Sequence, residues 1–163
     1  MVKLQFPEAS KALNLDVFAS CQQMDNGENR TRLTGDGTAN PFSYIRVELP
    51  FEEGTIGAWQ NAHRHDHVTE IWIVERGIQL VAEETENGEI DIHIMFPGDT
   101  YTSKTGINHN CFVSPGAITH TVKVNNIPND WIPAPEFDQK TKELDMESFI
   151  KEKNLIDCFK FHV

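Results

Sequence analysis

From residue 41 onward the apolar positions of the chain recur with a period of two. Ile45, Val47 and Leu49 alternate with Tyr44, Arg46 and Glu48 up to Pro50 and the Glu53-Gly54 turn. That is the signature of a strand with one face in a core. Ile71-Trp72-Ile73-Val74 runs into Gly77, and Leu80 and Ala82 lead to Asn87-Gly88. Ile90, Ile92, Ile94 and Phe96 then line one face of a return strand closed by Pro97-Gly98-Asp99. Asn-Gly between two such runs predicts a hairpin, with positive φ at both turn positions. Cys111 to Val113, a turn at Pro115-Gly116, and Thr119 to Val124 supply a further pair. Short strands at near-regular spacing, separated by turn formers, predict an all-β fold: an antiparallel barrel or jelly roll.

The flanks read differently. Residues 1–40 show little periodicity and end in Thr34-Gly35-Asp36-Gly37, so they are expected to form an irregular or edge-strand arm with at most a short helix near Ser10 to Leu15. Pro128 to Pro135 holds three prolines in eight residues and is expected to wrap over the barrel without regular structure. Beyond it, Asp145 is placed as an N-cap, Leu144 and Phe149 stand at staple positions, and Met146 to Lys153 predicts one C-terminal helix, followed by a tail from Leu155 to Val163. The expected organisation is a single domain over 1–163: arm 1–40, barrel core 41–127, and Pro-rich loop, helix and tail 128–163.

Composition narrows the partners. A chain of 163 residues has room for one domain, and a hydrophobic fraction of 39% excludes a disordered one. Fourteen basic against twenty-five acidic side chains leave a formal charge of −11, which repels a phosphate backbone, so no nucleic-acid partner is expected. No apolar run approaches the roughly 18 residues of a membrane span, and Met1 to Phe6 is not followed by a signal-peptide core, so a cytoplasmic protein without membrane contact is expected. Cys21, Cys111 and Cys158 are odd in number and widely spaced, which speaks for free thiols and against a disulfide framework or a thiolate zinc site.

The chemistry concentrates between Gly57 and Gly77. His63 and His65 are two apart, so on a strand they leave the same face and can both reach one ion about 2 Å away. Asp66 to Thr69 is short and polar enough to turn the chain, and Glu70 begins the next strand on the face it shares with Trp72 and Val74. Two imidazoles and a carboxylate then converge from adjacent strands. Other histidines stand apart: His67 in the turn, His93 opposite Ile92 and Ile94, and His162 in the tail.

This segment resembles the first motif of the cupins: glycine, five residues, His-x-His, four residues, glutamate, six residues, glycine. Gly57, His63, His65, Glu70 and Gly77 meet every position. The resemblance implies a double-stranded β-helix and a fourth ligand, a histidine from a second motif on a later strand. Here two residues compete. Counting from Gly98 with Gly106 as the inner glycine gives His109, but Lys104 and Val113 stand where proline and asparagine are expected. The run Phe112-Val-Ser-Pro-Gly-Ala-Ile-Thr-His120 matches with one extra residue, and alternation places His120 with the apolar Val122 and Val124. The favoured ligand set is His63, His65, Glu70 and His120, with His109 the alternative.

Three imidazoles and one carboxylate leave two positions of an octahedral ion open, which suits one divalent transition metal: Fe, Mn, Ni, Co or Zn. What the resemblance implies about activity is a range of chemistries, since fold does not fix function. The leading expectation is a metal-dependent enzyme, an isomerase or lyase acting on a small carbohydrate-like or oxo/hydroxy acid substrate, with Tyr44, Arg46, Trp72 and His109 as substrate-binding candidates. An Fe(II) dioxygenase, a non-catalytic ligand binder and a metal-free sugar epimerase are the alternatives. Cupin barrels often pair through their sheets, so a homodimer is expected.

Overall fold

The computed structural model describes residues 16–36 and 41–155. The helix expected near Ser10 to Leu15, the tail beyond Leu155, Cys158 and His162 lie outside the described residues. The strands are β1 (Asp16–Gln23), β2 (Asn29–Asp36), β3 (Phe42–Glu48), β4 (Ala58–Trp59), β5 (His63–Arg64), β6 (Thr69–Arg76), β7 (Gln79–Glu84), β8 (Ile90–Met95), β9 (Thr100–Thr102), β10 (His109–Val113), β11 (Ile118–Val124) and β12 (Ile132–Pro133). Two helices follow, α1 (Pro135–Lys142) and α2 (Met146–Glu152).

All pairings among the described strands are antiparallel, and they build two facing sheets. One runs β1-β2-β3-β11-β6-β9; the other runs β12-β5-β10-β7-β8, with β4 paired to β10. This is the expected jelly roll, in which strands distant in sequence become neighbours: β11 lies between β3 and β6.

Two apolar layers hold it together. Trp72, Val74, Val81, Met95 and Cys111 fill the space between the sheets. On the outer face of the second sheet, Ile78, Leu80 and Phe112 pack beneath Met146, Ile150 and Leu155, while Ala62 and Ala82 meet Phe137. Strand β7 is consequently buried along five of its six residues, because its odd positions face the barrel interior and Leu80 and Ala82 face the helices. The triplet Ile90, Ile92 and Ile94 packs on the helix side as well.

Over residues 16–36 the arm takes the edge-strand form: β1 and β2 form a hairpin in full register from Asp16↔Asp36 to Gln23↔Asn29, extending the first sheet beyond β3. Three expectations need correction. The Pro-rich stretch ends by starting a helix, since Pro135 sits at the first helical position, where its missing N–H would have no partner anyway. There are therefore two C-terminal helices; the second has Asp145 as N-cap, accepting from the Ser148 N–H. The hairpin at Asn87-Gly88 forms, but only Gly88 has positive φ (75°). Gly88 N–H donates to Thr85 O, so the turn is a type I turn closed by a left-handed glycine, one residue longer than the tightest form.

The two motif glycines are structural. At Gly57 (φ 122°) a Cβ would lie 2.4 Å from the Val113 carbonyl oxygen, and at Gly77 (φ 76°) 2.8 Å from the Ala117 backbone. Both mark places where the chain crosses close to β10 or β11. Among the described residues no helix is long and apolar enough to cross a membrane.

Phe112 is fully buried where the sheet meets α2 and stacks edge-on against Trp59 at 5.3 Å. Truncation to alanine opens a cavity that its strand neighbours cannot fill. Phe112→Ala is expected to lose about 3–5 kcal/mol in urea unfolding, whereas Ile127→Ala, at a partly exposed position, should change stability by no more than about 0.5 kcal/mol.

Candidate metal centre

Four side chains meet inside one end of the barrel. His63 comes from β5, His65 from the residue after it, Glu70 from β6 and His109 from the first position of β10. One ligand atom from each can be chosen so that all four lie within 4.8 Å of one another. His109 is paired directly opposite His63 in the ladder, and their rings are 4.5 Å apart. His109 Nε2 stands 3.0 Å from Glu70 Oε2, His63 Nε2 3.7 Å from the same oxygen, and His65 Nε2 3.6 Å from Glu70 Oε1.

The hydrogen bonds on the far side of each ring settle which nitrogen faces the centre. The Nδ1–H of His65 donates to Asp130 O at 2.6 Å, that of His63 to Asn61 O at 2.9 Å and that of His109 to Ile107 O at 3.1 Å. A carbonyl can only accept, so Nδ1 carries the hydrogen and Nε2 presents a lone pair inward in all three. This is the arrangement that metal-binding imidazoles adopt, with the outer N–H fixed by a carbonyl. His63 Nε2 is buried without a hydrogen-bond partner. His109 Nε2 and Glu70 Oε2, two acceptors at 3.0 Å, need a cation or a proton between them. The donor set fits a divalent transition ion.

Electrostatics agree. Burial pushes the His63 imidazole below its ordinary value despite the nearby Glu70 carboxylate, which keeps the ring in the neutral, ligating form. Burial alone would raise the Glu70 carboxyl, but a proton or cation shared with His109, His63 and His65, together with the Lys123 ammonium, outweighs it and holds the group well below the usual carboxylate range. Lys123 Nζ lies 2.6 Å from Glu70 Oε1 and 3.1 Å from His65 Nε2. Cys111 is close by, but burial pushes its thiol up, so it offers no thiolate.

His120, the favoured fourth ligand from sequence, is not in this cluster. It sits on the opposite face of β11, where Nδ1 meets Tyr44 Oη at 2.8 Å and Nε2 meets Glu75 Oε2 at 2.8 Å. β11 has the expected period and the opposite phase: Thr119, Thr121 and Lys123 point inward, and Val122 and the exposed Val124 point outward with His120. His109 takes the place expected of His120. It belongs to a strand rather than to a loop at the mouth.

Two of the substrate-binding candidates face away from the cavity, as the alternation of β3 itself implies, since Ile45 and Val47 line it. Tyr44 stacks on His120 outside the barrel, and Arg46 is paired with Glu48 at 2.8 Å rather than turned into the cavity. Trp72 does line the cavity, and His109 lies among the candidate ligands.

A cavity of about 180 Å³ opens beside the cluster. His63, Glu70, Trp72 and Lys123 line it beside the cluster, Arg30 and Arg32 line it farther along the sheet that carries Glu70, Trp72 and Lys123, and Trp131 completes the lining. The Trp131 ring stacks on His63 at 5.2 Å while remaining half exposed. The two arginines come from the arm, where the sequence offers no alternation to signal their direction.

Asp130 was also invisible in the sequence. Its carboxylate accepts the backbone N–H groups of Asp66, His67 and Val68 at 3.2, 3.0 and 2.7 Å, while its carbonyl orients His65. One residue of the Pro-rich segment thus fixes the turn between ligands and the ring of one of them. The partners are more than sixty residues apart, so no local pattern announces them.

Comparison with known proteins is consistent with this geometry. No protein-family model matches the chain. No curated protein matches it by sequence. Solved structures do match by fold. KdgF from Halomonas sp. is 19% identical with a TM-score of 0.50, over 68% of this chain and 89% of that one. An RmlC-like cupin from Shewanella frigidimarina is 16% identical with a TM-score of 0.50, over 79% of this chain and 96% of that one. The oxalate decarboxylase of Lactobacillus farciminis, solved with formate, is 14% identical with a TM-score of 0.56, over 83% of this chain but 39% of its own longer chain.

Burial opposes ionisation of Asp130, yet the three backbone N–H donors hold its carboxyl below the ordinary value. A carboxyl depressed on folding stabilises the protein above its unfolded value and loses that contribution as pH falls through the folded one. In chelator-treated protein, Asp130→Asn is therefore expected to flatten the acid limb of the stability profile, followed by urea melts between pH 7 and pH 3. In untreated protein the same substitution should weaken metal retention about 10–100-fold, read by competition with a chromophoric chelator.

Proposed function

We propose that this chain, a cupin by fold, is a metal-dependent enzyme acting on a small polar substrate, an isomerase or lyase working next to a carbonyl. The observation that carries the reading is the inward convergence of three Nε2 lone pairs and one buried carboxylate, each imidazole braced by a backbone carbonyl, at the wall of a cavity. His63, His65, Glu70 and His109 would hold the ion. Bound there, it would supply Lewis acidity to an oxygen of the substrate.

The protein's own groups supply the rest. Trp131 and Trp72 cover the cavity with aromatic surface and limit water. Lys123 and Thr121, on the inward face of β11, offer polar contacts to a substrate seated beside the ligands. The volume, about 180 Å³, is below the roughly 300 Å³ at which drug-sized ligand pockets begin. That favours a substrate of a few heavy atoms. Two copies pairing through a sheet edge complete the proposed unit, and a monomer mass by light scattering would remove that part.

Elemental analysis of untagged protein tests the site. We expect close to one iron, manganese, nickel, cobalt or zinc per chain, lost in separate His65→Ala and His109→Ala variants and retained in His120→Ala. Retention in His109→Ala with loss in His120→Ala would reverse the ligand assignment. Turnover of candidate hydroxy and oxo acids should proceed unchanged without oxygen. A strict requirement for oxygen would replace the isomerase or lyase reading with a dioxygenase.

A further inference from the structure

The cavity contains a charge for which the metal centre has no use. Four fully charged side chains line it: Arg30, Arg32, Glu70 and Lys123. Arg30 is satisfied, since its Nε and Nη2 both donate to Glu28 Oε2 at 2.9 and 2.6 Å, and Glu28 is fully buried and held by Gln60 through its other oxygen. Lys123 is matched by Glu70. Arg32 is different. Its hydrogen bonds go to Gln22 Oε1 at 3.3 Å and to Met24 Sδ at 3.8 Å, both neutral, and among the described residues it forms no ion pair.

Its direction follows from register. Arg32 pairs with Ile45, Ile45 with Thr121, and Thr121 with Trp72, and residues directly opposite in a ladder share a face. Ile45, Thr121 and Trp72 all line the cavity, so this row runs along its wall from Arg32 to the strand that carries Glu70. Three strand spacings, about 14 Å between backbones, separate the two ends. The guanidinium and the Glu70 side of the candidate metal centre therefore line the same cavity, on strands three places apart in one sheet.

We propose that Arg32 is a specificity residue that binds a free carboxylate of the substrate, and that the substrate is a short acid with a second oxygen function at the other end, directed at the metal ligands. This rests on the metal-dependent reading above. A half-buried guanidinium with five donors and only neutral acceptors gains most from a planar anion that takes two of its hydrogens at once. A neutral sugar would leave it short of charge. The pairs Arg30–Glu28 and Lys123–Glu70 cancel internally, so Arg32 gives this wall its one net positive charge among the described lining residues.

The test is calorimetric binding of malonate, succinate and glutarate, with the corresponding diamides and inorganic phosphate as controls, to the metal-loaded full chain. At least one diacid should bind ten or more times tighter than its diamide. Arg32→Gln should weaken that diacid at least tenfold, leave the diamide unchanged and keep metal content and melting temperature at their wild-type values, while Arg32→Lys restores part of the affinity. Equal affinity of diacid and diamide, undiminished diacid binding in Arg32→Gln, or no diacid binding at millimolar concentration would each overturn the proposal. Tighter Arg32-dependent binding of phosphate than of every diacid would overturn the assignment to a carboxylate. Should Arg32→Gln fail to fold, the wild-type comparison and Arg32→Lys decide. Failure of the parent reading looks different: a chain that never holds metal, yet binds a diacid through Arg32, loses the metal centre and keeps the anion subsite.

Discussion

The Glu70 carboxylate, buried and ionised with three imidazole lone pairs turned toward it, sets the terms for this end of the barrel. A buried charge survives only with compensating charge and hydrogen bonds. The imidazoles cannot provide the charge while their Nδ1–H groups are committed to Asn61, Asp130 and Ile107, because each ring then offers only an acceptor inward. What remains is Lys123 and whatever cation the four donors hold between them. The centre is electron-rich, and backbone carbonyls on the outside of each ring fix its orientation.

Those outer bonds explain why the fold is arranged as it is around the site. His63 and His109 are placed by ladder register, Glu70 by Ser103, whose hydroxyl accepts its N–H and whose own N–H donates to its carbonyl. His65 lies past the end of its strand and has no ladder to hold it. Asp130 substitutes for one, and α1 anchors the same region through Asp138, which accepts the Ala62 N–H at 2.8 Å. The segment that looked like a wrapping loop is thus part of the support of a ligand. The ladder fixes two ligands cheaply, and the third needs a long-range contact.

How much of this could be read from the sequence follows the same division. His63, His65 and Glu70 were legible because their spacing is local and is imposed by two short strands and a turn. The fourth candidate was narrowed only to His120 or His109, since the choice depends on which face of a later strand looks inward. Apolarity is a poor guide to that face when the interior is itself a polar cavity: Thr119, Thr121 and Lys123 point in, while Val124 is exposed. Tyr44 and Arg46 are a different case: the alternation of β3 has the right phase, with Ile45 and Val47 inward, and polarity alone suggested the two outward residues. Strand β7 gives the reverse lesson, since burial on both faces erases alternation without erasing the strand. The arm reads as irregular or edge strand, without the register of the β1–β2 hairpin, because its inward residues include Arg30 and Arg32, charged positions that break the hydrophobic pattern where they line the cavity.

A protein with a formal charge of −11 would be a poor receptor for an anion if net charge decided binding. It does not, because exposed charges act through water and are screened over about 8 Å at physiological ionic strength, whereas groups on a cavity wall act over a few ångströms in a less polarisable medium. The acidic surface influences how fast an anion arrives, and the wall determines whether it stays. The acids at that wall are already matched: Glu28 behind it by Arg30 and Gln60, and Glu70 by Lys123. The sign of the cavity is therefore set by its one guanidinium without an ion pair among the described residues and by the candidate metal centre. A molecule that satisfies both must be negative at one end and donate oxygen at the other.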